Sequence, residues 1–178
     1  LNKGIFPFAT EDPKIKEALN FSIENSNFRA TSSPSEYKNA DIVLVDIHLD
    51  IPFKDDEPKL EFNNFIKSLE TIGMNIKGNC LVIIETTVPP GTCEKIVLPC
   101  LQKCFSKRGL NPGEIKLAHS YERVMPGEKY YDSIVNFWRV YSGINDKSAD
   151  ECKEFLSNII NTKDYPLKML SSTTSSET

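Results

Sequence analysis

Cys80-Leu81-Val82-Ile83-Ile84, followed at once by Glu85-Thr86-Thr87-Val88-Pro89-Pro90-Gly91-Thr92, is the stretch whose reading decides the fold. An unbroken, β-branched apolar run of this length reads as a strand buried on both faces, the habit of parallel sheets in α/β proteins. The residues from Cys93 to Lys107 follow a helical pattern, with Ile96, Val97, Cys100, Leu101, Cys104 and Phe105 on one face and Pro99 as an expected kink. The hydroxyls of Thr86 and Thr87 and the Pro-Pro-Gly turn therefore stand at the carboxyl end of a central strand. Open α/β sheets bind ligands at that edge.

Outward from this unit the chain alternates. Towards the amino end, Leu60, Phe62, Phe65, Ile66, Leu69 and Ile72 recur at helical spacing, and Asp41–Ile47 is a second buried strand. Asp50 to Pro58 between them is a polar loop. Phe28–Thr31 is a short strand candidate, followed by a Ser-Ser-Pro-Ser turn and a small segment at Ser35–Asn39. Asp12 before Pro13 marks a helix start running to about Ile23. Towards the carboxyl end, strands are expected at Glu114–Ala118, Asn136–Ser142 and Tyr165–Leu170. A helix lies between the last two, with Ser148 and Glu151 as its capping box. Strands alternating with helices predict an α/β fold: a Rossmann-like, mostly parallel sheet with helices on both faces.

Bulk properties agree with a globular domain. The 178 residues are 39% hydrophobic and 26% charged, with a net charge of −4, which is no nucleic-acid footprint. No apolar run reaches membrane-span length and no signal-peptide pattern opens the chain, so no membrane partner and a cytoplasmic location are expected. The five cysteines are odd in number and sit mainly within helix or strand patterns, as reduced thiols do. Cys100 and Cys104 share a helix face, which reads as buried packing; no metal site is expected.

Two strand ends converge in such a sheet. Thr86-Thr87 follows one strand, and Ala118-His119-Ser120-Tyr121-Glu122-Arg123-Val124-Met125-Pro126-Gly127 follows the next. Glu122 is a carboxylate able to act as general base or orient a water, with the Thr87 hydroxyl beside it. Spacing alone leaves open that Glu122 and Arg123 are solvated loop charges and that Thr86 and Thr87 only cap a strand. Tyr130, Tyr131 and Trp138 suit base stacking, but aromatics near a strand are more often core.

Together, Glu85–Thr92 and Ser120–Gly127 resemble the UDP-glucose/GDP-mannose dehydrogenase family, with its Ser/Thr-Thr-Val-Pro-Pro-Gly-Thr stretch and its Ser-Pro-Glu-Arg or Asn-Pro-Glu-Phe motif. Leu1–Phe8 is similar to that family's Asn-x-Gly-x-x-Pro segment, Phe28–Thr31 to its third strand, and Ser175–Thr178 to the start of its Ser-Glu-x-x-Lys motif. The resemblance implies an NAD-dependent enzyme that oxidises the C6 alcohol of a nucleotide sugar to a uronate by two hydride transfers. It implies that Thr87 holds the catalytic water and that Glu122 touches the sugar and assists hydrolysis of a covalent thioester. It places Thr86 and His48 on the cofactor side, and Tyr121, Glu122 and Arg123 on the substrate. Arg123, where other members have Phe, resembles the branch acting on UDP-N-acetylhexosamines such as UDP-N-acetylmannosamine; a UDP-hexose is the other substrate class implied. The parent is expected to be a homodimer engaged in polysaccharide biosynthesis.

Departures from the family pattern shape the expected domain. No Gly-x-Gly-x-x-Gly occurs, His48-Leu49-Asp50 replaces Asn-Thr-Pro, and Tyr121 replaces Pro. None of the five cysteines sits in the family's Gly-Gly-x-Cys setting, so none is expected to be the nucleophile, and the catalytic lysine falls beyond Thr178. Residues 1–178 are then the latter part of an NAD-binding Rossmann domain that lacks its first two strands. It is truncated at both ends and inactive alone, with 1–36 open to displacement and 171–178 either the start of the interdomain helix or disordered. Without those strands Phe28–Thr31 has no native neighbour, and is expected to be displaced, swapped into a partner chain or unusually paired. The competing readings are another Rossmann-type dehydrogenase, of the 6-phosphogluconate or 3-hydroxyacid type, and a non-enzymatic binding or assembly module.

Overall fold

The computed structural model describes residues 1–7, 9–49, 53–54, 57–58 and 60–178, with only the backbone described at 53–54 and 57–58. In chain order the elements are α1 (Pro13–Glu24), β1 (Ile42–Val45), β2 (Phe53–Lys54), β3 (Glu57–Pro58), α2 (Asn63–Asn75), β4 (Leu81–Ile84) and α3 (Leu98–Lys107). There follow β5 (Lys116–His119), α4 (Tyr130–Val135), β6 (Val140–Gly143), α5 (Asp146–Ser157), β7 (Lys168–Met169) and α6 (Thr173–Ser176). The main sheet has the order β1-β4-β5-β6-β7, and β2 and β3 form a separate antiparallel pair. The pairs β1–β4, β4–β5 and β6–β7 are parallel and β5–β6 is antiparallel.

Period-two alternation divides the apolar run of β4 between two cores. Val82 and Ile84 join Val43, Val45 and Leu117 beneath Phe65, Leu69 and Ile72 of α2 and Leu101 and Phe105 of α3. Leu81 and Ile83 face the other way, onto Ala149, Cys152 and Leu156 of α5. All four β4 side chains are at most 1% exposed, which is why that segment carries no polar residue. Helices thus cover both faces of a mostly parallel sheet, as the alternating pattern requires.

Gly73 lets α2 approach α3. A Cβ added there would lie 2.8 Å from the Cβ of Cys104 and 3.2 Å from Leu101 Cδ2. Both neighbours are held in a closed core, so Gly73→Ala is expected to destabilise the domain by about 1–3 kcal/mol, read as a lower urea midpoint with an unchanged slope.

Several expectations are corrected. Phe28–Thr31 is not a strand and has no place in the main sheet; the Asn2 side chain brackets it, donating to Ala30 O at 2.8 Å and accepting from Ala30 N at 2.6 Å. A strand needs a neighbour for its ladder, and β1 is the edge of the main sheet among the described residues. The strand expected from Asn136 begins only at Val140, and Tyr130 and Tyr131 belong to the short helix α4 that sequence reading overlooked. The cap of α5 is Asn145, whose Oδ1 accepts from Ser148 N at 2.9 Å; Glu151 instead reaches Lys116 Nζ at 2.7 Å. Pro99 follows a π-type turn at Cys93–Val97, so the irregularity expected of it falls in the turn before it, where a proline cannot supply the next N–H of the ladder. The polar loop from Asp50 is described only at β2 and β3, and Phe8, Asp50 and residues 51, 52, 55, 56 and 59 lie outside the described residues.

Asp12 caps α1 as expected, and does more. It is 2% exposed; its Oδ1 accepts from Lys14 N at 2.9 Å and its Oδ2 from Tyr131 N at 2.7 Å. One carboxylate therefore serves the amino ends of α1 and α4 together and ties the amino-terminal helix to the loop after β5.

Candidate functional site

The carboxyl ends of β1 and β4 and the loop after β5 enclose a cleft of about 540 Å³. His48, Thr86, Thr87 and Glu122 line it, together with Asp46 and Val88, so four of the residues singled out from sequence meet there. The volume is that of a small-ligand site.

Thr86 is buried and its hydroxyl is occupied. It accepts from Ile47 N at 2.8 Å and lies 3.0 Å from Ile47 O and 3.2 Å from Val45 O. The side chain fastens the exit of β4 to the exit of β1, and so fixes the wall that carries His48. Thr87, the next residue, is exposed on the cleft, as alternation along the chain demands. Glu122 is half-buried; its Oε2 accepts from Val124 N, and its own N–H donates to Glu85 O at 3.3 Å. Tyr121 and Arg123 sit beside the cleft and do not line it. The Arg123 guanidinium stacks 4.6 Å from the Phe137 ring and 5.7 Å from the Tyr121 ring.

Carboxylates dominate the local charge. Burial raises the Glu85 carboxyl above its ordinary range, Asp46 and Glu122 add to that, and Arg139 opposes it. Arg139 is the buried cation of the site and was missed in the sequence, where it reads as an interior position of a strand. Its Nη2 is 2.5 Å from Glu85 Oε1, and its Nη1 donates to Tyr121 O at 2.8 Å.

Sequence reading also missed how the turn after β4 is held. Pro89 and Pro90 have no N–H, so Gly91 carries the first donor of the turn. Gly91 N donates to Glu177 Oε2 at 2.5 Å and Cys93 N to Glu177 Oε1 at 2.7 Å. Thr92 gives the helix no side-chain cap, because its hydroxyl donates to Pro89 O at 2.6 Å. A carboxylate 84 residues further along the chain therefore caps this helix, and occupies an amino terminus that would otherwise suit a phosphate. Beside it, Ser176 Oγ contacts His119 Nδ1 at 2.8 Å and Ser142 Oγ at 2.6 Å. Glu177→Ala strands two buried donors, and is expected to cost about 2 kcal/mol in chemical denaturation, with faster amide exchange at Gly91 and Cys93.

The cysteines stand apart from this chemistry. Among the described residues none lines the cleft. Burial pushes the Cys80 and Cys100 thiols up to about 11 and that of Cys152 up to about 12, and raises Cys93 further with the help of Glu177. Thiols raised in this way are poor nucleophiles.

The family model for the NAD binding domain of the UDP-glucose/GDP-mannose dehydrogenase family matches residues 1–161. The UDP-N-acetyl-D-mannosamine dehydrogenase of Methanocaldococcus jannaschii is 28% identical over 158 residues, which are 89% of this chain and 34% of that protein. The UDP-glucose 6-dehydrogenase of Rickettsia prowazekii is 26% identical over 152 residues, 84% of this chain and 32% of that one. The crystal structure of the NDP-N-acetyl-D-galactosaminuronic acid dehydrogenase from Methanosarcina mazei superposes with a TM-score of 0.85 at 28% identity, covering 99% of this chain and 36% of that chain. The chain thus spans about a third of the length of the curated relatives it matches.

Proposed function

The chain belongs to the UDP-glucose/GDP-mannose dehydrogenase family through its NAD-binding domain, and from that premise we propose that it forms part of an NAD-dependent nucleotide-sugar dehydrogenase and is inactive by itself. The whole protein would oxidise the C6 alcohol of a UDP-sugar, a UDP-hexose or a UDP-N-acetylhexosamine, to the uronate, as a cytoplasmic homodimer. The observation that carries this reading is the meeting of His48, Thr86, Thr87 and Glu122 on one cleft at the strand ends.

The residues present fit the nicotinamide end of NAD. The wall made by Thr86 and His48 is rigid, since the Thr86 hydroxyl is bonded to the backbone of the β1 exit. It brings the exposed His48 side chain to the cleft. Bound NAD supplies the hydride acceptor. Thr87 and Glu122 line the same cleft; the Thr87 hydroxyl would hold a water there, and Glu122 would accept that water's proton as it attacks an acyl carbon. Arg123, 4.6 Å from the Phe137 ring, donates from Nη1 to the Tyr121 hydroxyl at 3.3 Å, and the pair beside the cleft is what would meet a sugar substituent.

NAD titrated into the isotopically labelled chain tests the placement of the cofactor. Amide shifts are expected to concentrate at His48, Thr86 and Thr87. Shifts confined to other surfaces would remove these residues from the cofactor side.

A further inference from the structure

Arg139 is 7% exposed and forms a buried ion pair with Glu85, whose side chain is 12% exposed. Such a pair is seldom a net gain over apolar packing of similar size, so packing alone is a poor reason for it. What it does have is reach. The fork of one guanidinium spans the Glu85 carboxylate on the β4 exit and the Tyr121 carbonyl on the β5 exit, at 2.5 and 2.8 Å. Glu85 precedes Thr86-Thr87 and Tyr121 precedes Glu122, so Arg139 grips the chain immediately upstream of both site residues. Among the described residues, the backbone links between the two exits are Ser120 N to Ile84 O at 3.0 Å and, further out, Glu122 N to Glu85 O at 3.3 Å. The second is long for an amide bond and needs support. The Arg139 Nε, also buried, has no partner among the described residues. The guanidinium is therefore oriented through its two Nη atoms by the strand-end acceptors, at the expense of its Nε–H.

We propose that Arg139 is a positioning residue: through Glu85 and the Tyr121 carbonyl it sets the separation of Thr87 and Glu122 across the cleft. The roles of Thr87 and Glu122 in dehydrogenation rest on the function proposed above; the clamp itself rests on the contacts of Arg139. Lysine, whose three donors all sit on one nitrogen, reaches Glu85 or Tyr121 O but does not span both.

Amide hydrogen exchange on the whole 178-residue chain tests the clamp, with Arg139→Gln, Arg139→Lys and Glu85→Gln beside the parent sequence. Arg139→Gln and Glu85→Gln are expected to speed exchange at Glu122 and Val124 by about tenfold or more, while Val82, Ile83 and Ile84 keep their rates. Arg139→Lys is expected to fall between parent and Arg139→Gln at the same two amides. Glu85→Gln keeps the arginine and the side-chain shape, so it carries the test if Arg139→Gln does not fold. Exchange that rises equally at Glu122 and throughout β4 would make Arg139 a general stabiliser and overturn the proposal, as would unchanged exchange at Glu122 in Glu85→Gln. These readouts are independent of catalysis. Absence of dehydrogenase activity would remove the proposed function and leave the clamp standing.

Discussion

Glu122→Gln in the complete gene product that carries this chain is expected to slow steady-state turnover by about a hundred- to ten-thousandfold, the range for loss of a general base. Glutamine keeps the shape and still accepts from Val124 N, as Glu122 Oε2 does, so the loop should hold its place. What is lost is the carboxylate's ability to take the proton of the attacking water. If Glu122 serves the hydrolytic half of the reaction, hydride transfer survives in the first turnover. The expected record is a burst of NADH close to two equivalents per active site, followed by a slow phase. Loss of the burst together with turnover would instead assign Glu122 to sugar binding or to an earlier step.

The second large effect is on stability against pH. His119 is fully buried at the end of β5, and burial lowers its imidazole to about 4 from 6.5, with the Thr86 backbone opposing weakly. The unfolded chain takes up a proton below pH 6.5 and the folded chain does not until about pH 4. Between those values the unfolded state binds more protons, so stability rises with pH; it is fully present above 6.5 and lost as pH falls through 4. The difference amounts to about 3 kcal/mol. Urea unfolding of the parent and of His119→Gln across this window checks it. The parent should lose about that much more than the variant on acidification, and parallel losses would show that His119 is not the group responsible. Because His119 Nδ1 contacts Ser176 Oγ, the acid-induced change should also free Glu177 from Gly91 and Cys93, visible as faster exchange at those two amides.

The parts of the fold legible in sequence are those fixed by local pattern. The run Leu81–Ile84 could only be a strand buried on both faces, and Asp12-Pro13 announced a helix start, because apolar continuity and capping chemistry are written in adjacent residues. The meeting of Thr87 and Glu122 followed from a general property of parallel sheets, whose carboxyl ends share an edge. What escaped was non-local. Phe28–Thr31 has strand-like residues, yet a strand is a relation to a neighbour and none is present on that side of β1 among the described residues. Arg139 lies within a run that reads as β, and nothing in Phe137-Trp138-Arg139-Val140 says that its partner is Glu85. A buried arginine inside an apolar strand was nevertheless a usable signal, since such a charge requires a paired carboxylate. Glu177 gave no comparable sign: a cap contributed from 84 residues away leaves only an uncapped helix start at Thr92 and a pair of prolines to hint at it. Tyr130–Val135 was missed because six residues carry too little periodicity to separate a helical turn from a loop.

The most direct test of the account is NADH formation by the complete gene product, supplied with NAD and, in turn, a UDP-hexose, a UDP-N-acetylhexosamine and GDP-mannose. Two NADH are expected for each sugar converted to its uronate with at least one of the UDP-sugars. NADH from none of the three, or NADH only from 6-phosphogluconate or a 3-hydroxyacid, would contradict it.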